Sequence, residues 1–301
     1  MTVDTARFGV VLMPDLPADL VSTADAAGIR VTEVRHRTDK TALAIGELSG
    51  QRVAVKCLLD PDPLWAAKWR HELDAYRVFA TVSPPLRVPK LLYTDNSRIL
   101  VLEWLDGRRL NDDRYPQQAL SVVDSEAVLS CVAAFNQWQP PGGAFAAVFD
   151  YADRFRRYHA QGWLEDRDLA ALQKLLPRAG TPAEVNHGDP IASNILLGDH
   201  CSVTLLDWEY TGLFLPGFDL AMMHTQLGAN TSSMKERIDA MVSADGNDTP
   251  FVINLATVLT RELRIHRELP ASHVREMRLE MIEPAWVHAR ERLHRQATME
   301  M

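Results

Sequence analysis

Asn186-His187-Gly188-Asp189-Pro190-Ile191-Ala192-Ser193-Asn194-Ile195-Leu196-Leu197, followed after a short turn by Val203-Thr204-Leu205-Leu206-Asp207-Trp208-Glu209, is the stretch that organises the 301-residue chain. It reads as two apolar segments with polar groups at their ends: Asp189, Asn194 five positions on, and Asp207 thirteen beyond that. Side-chain oxygens of this kind are hard ligands, suited to a divalent cation that also binds phosphate. Each residue alone has a plainer reading, because Asp-Pro commonly opens a turn and a single asparagine commonly serves a loop. Their joint spacing points instead to one centre, able to hold two magnesium ions and a nucleoside triphosphate.

The bulk properties suit such a housing. With 47% hydrophobic residues the chain can bury a substantial core. No basic, apolar and small-residue leader is apparent, and the longest near-apolar run, Phe251 to Leu259, is far short of a membrane span. A soluble, cytoplasmic protein that does not engage membranes is expected. Three scattered cysteines, Cys57, Cys131 and Cys201, fit a reducing compartment better than a disulfide framework or metal cluster. The net charge of −8 is unevenly spread. Up to Leu105 there are 13 basic and 13 acidic residues, and after it 19 basic and 27 acidic ones. The second part should repel nucleic acid and attract cations, unless the excess is ordinary surface charge.

The pattern divides into two lobes, 1–105 and 106–301. After a short helix from Pro14 to Ala27, strands are expected over Ile29 to Arg35, Thr41 to Leu48 and Arg52 to Leu58. Helical spacing runs from Leu64 to Thr81, and two more strands, Lys90 to Tyr93 and Arg98 to Trp104, flank an Asp95-Asn96-Ser97 turn. The second lobe reads as mainly helical, with helices near Gln117 to Trp138, Phe145 to Ala160, Glu165 to Leu176, Asp219 to Leu227, Met234 to Met241, Pro250 to Glu268 and Ser272 to His294. The opening stretch, from Val185 to Asp207, is expected among them as one short β-hairpin.

Phosphoryl transfer needs alignment and electrostatic stabilisation more than covalent help from the protein. Arg52-Val53-Ala54-Val55-Lys56 resembles the kinase strand whose last residue is the phosphate-binding lysine. An ammonium in an apolar strand calls for a partner or a phosphate, unless it faces solvent at an edge. Glu72, midway along the following helix, stands where a carboxylate partner would be, although Asp74 shares that helix.

Together these motifs resemble the aminoglycoside-phosphotransferase and choline-kinase type enzymes, a branch of the protein-kinase-like fold. That branch carries His-Gly-Asp where protein kinases have His-Arg-Asp, and an Asp-Trp or Asp-Phe pair before an acidic residue; here these are His187-Gly188-Asp189 and Asp207-Trp208-Glu209. Arg98 to Gly107 resembles the family's hinge, and Gly217-Phe218-Asp219-Leu220-Ala221 the helix after its metal site. The resemblance, from about 30 to about 221, implies an α+β bilobal fold. It has an antiparallel five-stranded sheet and helix in a nucleotide-binding first lobe and a mainly helical catalytic second lobe. It further implies Asp189 as the catalytic base and Asn194 and Asp207 as magnesium ligands. Lys56, paired with Glu72, would hold the α/β-phosphates of ATP, or of GTP as the alternative, and the backbone of Glu103, Trp104 and Leu105 would meet the nucleotide base. Asp219 would support the catalytic loop, and His187 would fix it rather than act as a base.

One departure stands out: Val34 to Leu43 contains no glycine, where relatives often use glycine to approach the phosphates. Lys40 there either reaches a phosphate or lies at an exposed hairpin tip. The acceptor implied is a small polar molecule bearing a hydroxyl and an amine, an antibiotic or else a metabolite of choline, amino-sugar or homoserine type. A catalytically inactive kinase-like binding module is the reading from another class. Only 11 residues separate Asp207 from Asp219, which disfavours a protein kinase with a long peptide-docking loop. The late helices, with Arg261-Glu262, Arg264 and Arg267-Glu268, read as solvated, salt-bridged faces.

Overall fold

The computed structural model describes residues 16–299, so Pro14 and Asp15, where the first helix is expected to begin, lie outside the described residues. The chain forms two compact units: one of residues up to Ala80 together with Pro89–Leu105, the other of Thr81–Val88 with everything from Asp106 on. In the first unit the order is α1 (Ala18–Ala26), β1 (Ile29–Arg37), β2 (Thr41–Leu48), β3 (Gln51–Leu58), α2 (Pro63–Thr81), β4 (Leu91–Thr94) and β5 (Ile99–Glu103). The strands form one antiparallel sheet in the order β1-β2-β3-β5-β4. Ser49 and Gly50 both take positive φ (52° and 77°), the two-residue hairpin turn whose twist matches the strands it joins.

Alternation along the strands explains which face each residue serves. Val53, Val55 and Cys57 of β3, with Ile99 and Val101 of β5, point to the side covered by Leu20 and Ala24 of α1. Leu58 and Leu100 point to the other side, against Trp69 and Leu73 of α2. Each fully buried aliphatic side chain contributes roughly 1.5–3 kcal/mol. Because side chains alternate with period two, Lys56 falls on the α2 side, among apolar neighbours.

The second unit contains β6 (Arg108–Arg109), α3 (Val122–Asn136), α4 (Tyr151–Ala160), α5 (Asp166–Ala179), β7 (Glu184–Asn186), β8 (Ile195–Leu197), β9 (Val203–Leu205), β10 (Gly212–Phe214), α6 (Phe218–Gln226), α7 (Ser232–Ala244), α8 (Asp248–Glu268) and α9 (His273–Thr298). Arg87 bridges to Thr204, which ties the 81–88 segment to this unit. α8 is its core helix, with Phe251, Val252, Ile253, Val258 and Leu259 all buried.

Three expectations need correction. The stretch from Val185 to Asp207 is not one hairpin: β7 pairs with β10, while the hairpin is β8 with β9, and β6 pairs on the outer side of β8. The left-handed Gly188 and the following Pro190 turn the chain away before β8 begins. The helix expected from Gln117 starts at Val122, where the Ser121 side chain accepts from the Asp124 N–H. The helix expected from Phe145 starts at Tyr151, with Asp150 accepting from the Asp153 N–H. In both cases the capping side chain satisfies a donor that the preceding turn would otherwise occupy.

Candidate active site

In the first unit, Lys56 Nζ lies 2.5 Å from Glu72 Oε2. The Glu72 side chain is 2% exposed and the Lys56 side chain 16%, so the pair is set into the apolar face that alternation dictates. Asp74, the alternative on the same helix, is exposed and pairs with Arg77. Glu103 ends β5, its N–H donating to the Lys90 carbonyl at 2.8 Å, and the Trp104 ring carries the Arg52 guanidinium 3.9 Å from its centroid. Leu105 closes the unit. The glycine-free turn is held by the Thr38 hydroxyl, which accepts from the N–H groups of Lys40 and Thr41. Lys40 Nζ sits 3.8 Å from the centroid of the Trp65 ring, a cation–π contact rather than an isolated tip.

In the second unit the loop from His187 to Asn194 is fastened from beneath. Asp219, fully buried at the start of α6, accepts from the His187 N–H at 2.7 Å, the Gly188 N–H at 2.8 Å and the Asn136 amide at 3.2 Å. Its own N–H donates to Asn186 Oδ1 at 2.8 Å. Burial pushes the Asp219 carboxyl up, and these donors pull against that shift. Gly188 has φ +84°, and a Cβ there would lie 2.3 Å from the Tyr210 carbonyl oxygen, so only glycine fits between His187 and Asp189. The His187 ring nitrogens face two backbone groups. Nε2 donates to the Leu206 carbonyl at 2.9 Å, and Nδ1 accepts from the Asp189 N–H at 3.3 Å. With the Trp208 ring packed against it at 4.5 Å, tilted by 56°, the buried imidazole joins the two halves of the motif and takes a structural place.

Asn194 ends a short 3-10 turn, and its amide nitrogen donates to the Asp189 carbonyl at 3.1 Å. That bond fixes the orientation of the amide. Asp207, two residues past β9, holds φ +68°, a left-handed conformation that aspartate tolerates better than most residues with a Cβ. Among the described residues no group of three His, Cys, Asp or Glu side chains forms a metal cage. An amide oxygen and a carboxylate nevertheless fit magnesium, which takes one or two protein oxygens and completes its shell with phosphate and water.

Asp189 is where sequence reasoning ran short. Its carboxylate is 14% exposed, and Oδ1 accepts from Arg114 Nη2 at 3.3 Å and Arg261 Nη2 at 3.4 Å. Both guanidiniums also grip Glu262, which is fully buried and takes a further hydrogen bond from the Tyr115 hydroxyl at 2.8 Å. Burial works to raise the Glu262 carboxyl, but Arg114, Arg261 and Tyr115 hold it down at about 2. The Arg261-Glu262 pair, expected on a solvated face, is therefore interior. Arg264–Glu268 and Arg267–Glu283 do lie on the exposed side. The signal available in the sequence was position: Glu262 lies four residues after Val258 and three after Leu259, on the apolar stripe of α8.

The phosphotransferase enzyme family is matched by its family model over residues 32–253. Among solved structures, the chain is similar to the GDP complex of aminoglycoside 2'-phosphotransferase-IIIa, with TM-score 0.60 and 12% identity over 89% of this chain and 96% of that one. It is similar to aminoglycoside phosphotransferase APH(4)-Ia, with TM-score 0.56 and 14% identity over 94% and 97%. It is likewise similar to a microcompartment-associated aminopropanol kinase, with TM-score 0.61 and 12% identity over 93% and 98%. At these identities the likeness concerns the fold, which is the α+β protein-kinase-like fold the motifs imply. No protein among those of curated function matches the chain. Among the described residues no helix is long and apolar enough to cross a membrane.

Proposed function

The chain belongs to the phosphotransferase enzyme family, and from that membership we propose that it transfers the γ-phosphate of ATP, with magnesium, to a hydroxyl group of a small polar molecule. The observation that supports this most is the fastened loop: Asp219 fixes His187 and Gly188, and so presents Asp189 beside an oriented Asn194. Asp189 Oδ1 takes both arginine contacts, while Oδ2 makes no hydrogen bond among the described residues and would accept the acceptor's hydroxyl proton. Asn194 and Asp207 would hold magnesium, which when bound neutralises charge on the phosphates. Lys56, kept in place by Glu72, would bind the α/β-phosphates, and the backbone of Glu103 to Leu105 would meet the base. GTP is the alternative donor, supported by the GDP in one similar structure.

Two acceptor classes have support. The similar aminoglycoside phosphotransferases favour an antibiotic, and the similar aminopropanol kinase favours a metabolite bearing an amine. Purified protein incubated with ATP, magnesium and a panel of aminoglycosides, nucleoside and peptide antibiotics and amino alcohols, read by mass, tests the reading. Magnesium-dependent phosphorylation of one acceptor, lost in Asp189→Ala, is expected. Nucleotide binding that ignores magnesium, with no acceptor ever phosphorylated, would instead fit the inactive binding module.

A further inference from the structure

The acceptor side of Asp189 is lined by arginine, which is unexpected for a unit whose composition is acidic. Arg114 spends Nε and Nη2 on Glu262 and Asp189, and Arg261 spends Nε and Nη2 on Glu262, Asp189 and Met222. The Gln226 oxygen, in the amide orientation that satisfies its neighbours, also accepts from Arg114 Nε and Nη2. No hydrogen bond among the described residues uses Nη1 of either arginine, and neither Nη1 is a sealed interior atom, since the two side chains are 25% and 17% exposed.

Around Asp189 the two guanidiniums of Arg114 and Arg261 meet the two carboxylates of Asp189 and Glu262, and those bonds leave each Nη1 over. Nη1 groups directed away from a fully used carboxylate are suited to the fork geometry of a carboxylate or phosphate.

We propose that the acceptor phosphorylated at Asp189 carries an anionic group, a carboxylate or a phosphate ester, which docks on the open Nη1 edges of Arg114 and Arg261. This rests on the phosphotransferase reading of Asp189 and narrows its acceptor. An amine elsewhere on the same molecule is compatible with it, whereas a polycation without an anion is not. The acid excess of the second unit therefore does not set the charge beside Asp189, where two guanidiniums offset two carboxylates.

Four probes on one three-carbon diol frame separate the charges: glycerate, glycerol 3-phosphate, neutral glyceramide, and 3-amino-1,2-propanediol. Their binding to the full chain is measured by calorimetric titration, and their phosphorylation with magnesium and ATP by mass. At least one of the two anions should bind about 10-fold or more tightly than glyceramide, the margin of one charge-assisted hydrogen-bond set. Which anion wins distinguishes carboxylate from phosphate. Arg261→Met should lower that preference by about 10-fold. Arg261→Lys, which keeps a cation against Glu262 and Asp189 but removes the Nη1 edge, should keep the protein folded and lower it by about 3-fold. Equal binding of anions and amide, tightest binding of the amine, or a preference unchanged in both variants overturns the proposal. Anion binding without any turnover would remove the phosphotransferase reading and keep the subsite. Asp189-dependent turnover with the amine preferred would do the reverse.

Discussion

Asp168 and Glu262 are both fully buried acids held by arginine in the second unit, and they are put to different uses. Asp168 sits in the first turn of α5 and accepts from Arg290 Nε and Nη2 at 2.7 to 3.1 Å, from His294 Nε2 at 2.8 Å and from the Glu165 N–H at 2.9 Å. The Arg290 and His294 bonds join α9 to the start of α5, the Glu165 bond caps α5 itself, and among the described residues no second carboxylate competes for Arg290 except Glu165 on the same turn. Glu262 is gripped as tightly, but its arginines each reach past it to Asp189 at 3.3 and 3.4 Å. The long distances are informative. A closed cluster holds two helices together, while an open one aims a side chain and leaves donors for a ligand.

Substitutions that separate these two uses give the sharpest tests. The largest effect is expected from Asp189→Ala, which should lower turnover by about 10²–10⁴-fold while leaving the thermal melt within a few degrees of the parent. A melt lowered as strongly as turnover would make Asp189 part of the scaffold and dissolve the contrast. Asp168→Ala should behave oppositely, removing the hydrogen bonds that join α9 to α5 while half-buried Arg290 keeps Glu165, and costing about 3 kcal/mol in urea unfolding with turnover per folded molecule unchanged. Loss of turnover in that variant at full folding would mean that the α5–α9 cluster also serves the site.

Next in size is the acid limb of stability. The Glu262 carboxyl is held at about 2, below its ordinary value of 4.5, so its contribution is fully present above about pH 4.5 and is lost as pH falls towards 2. Glu262→Gln should flatten that part of a stability-against-pH curve. Glu184 supplies an effect of similar size and opposite sign. Burial raises it to about 7, the N–H of Gly217 and the amide of Asn186 only partly offsetting this. Its folded-state pKa lies above the unfolded value, so its contribution is complete below about pH 4.5 and fades as pH rises through 7. Chemical denaturation of Glu184→Gln across this range should show the decline removed. An unchanged slope would place the titrating group elsewhere.

Legibility in the sequence followed the range of the interaction. The strands β1 to β5 could be read because alternation and turn residues are local signals, and Lys56 stood out because an ammonium interrupts an apolar strand. Glu72 could be chosen over Asp74 by position, and it is Glu72 that is buried against Lys56 while Asp74 is exposed. The helix starts at Val122 and Tyr151 were misplaced because the apolar spacing continues upstream of each cap, through segments whose backbone is used elsewhere. Leu120 N–H, for example, donates to the Thr231 hydroxyl, and Ala147 bridges to Leu213.

The order and spacing of His187-Gly188-Asp189, Asn194 and Asp207-Trp208-Glu209 were determined by the sequence alone, because their constraints are short: a left-handed glycine, a turn, and a strand of three residues on each arm. Tertiary structure alone decided what surrounds Asp189. Arg114 and Arg261 lie 75 and 72 positions away from it in the chain, and nothing in the local pattern around either shows that both turn towards one carboxylate oxygen. Charge counted along a chain averages over surface and interior. The field at a site depends on the few groups that folding brings within about 4 Å, and beside Asp189 two guanidiniums offset two carboxylates.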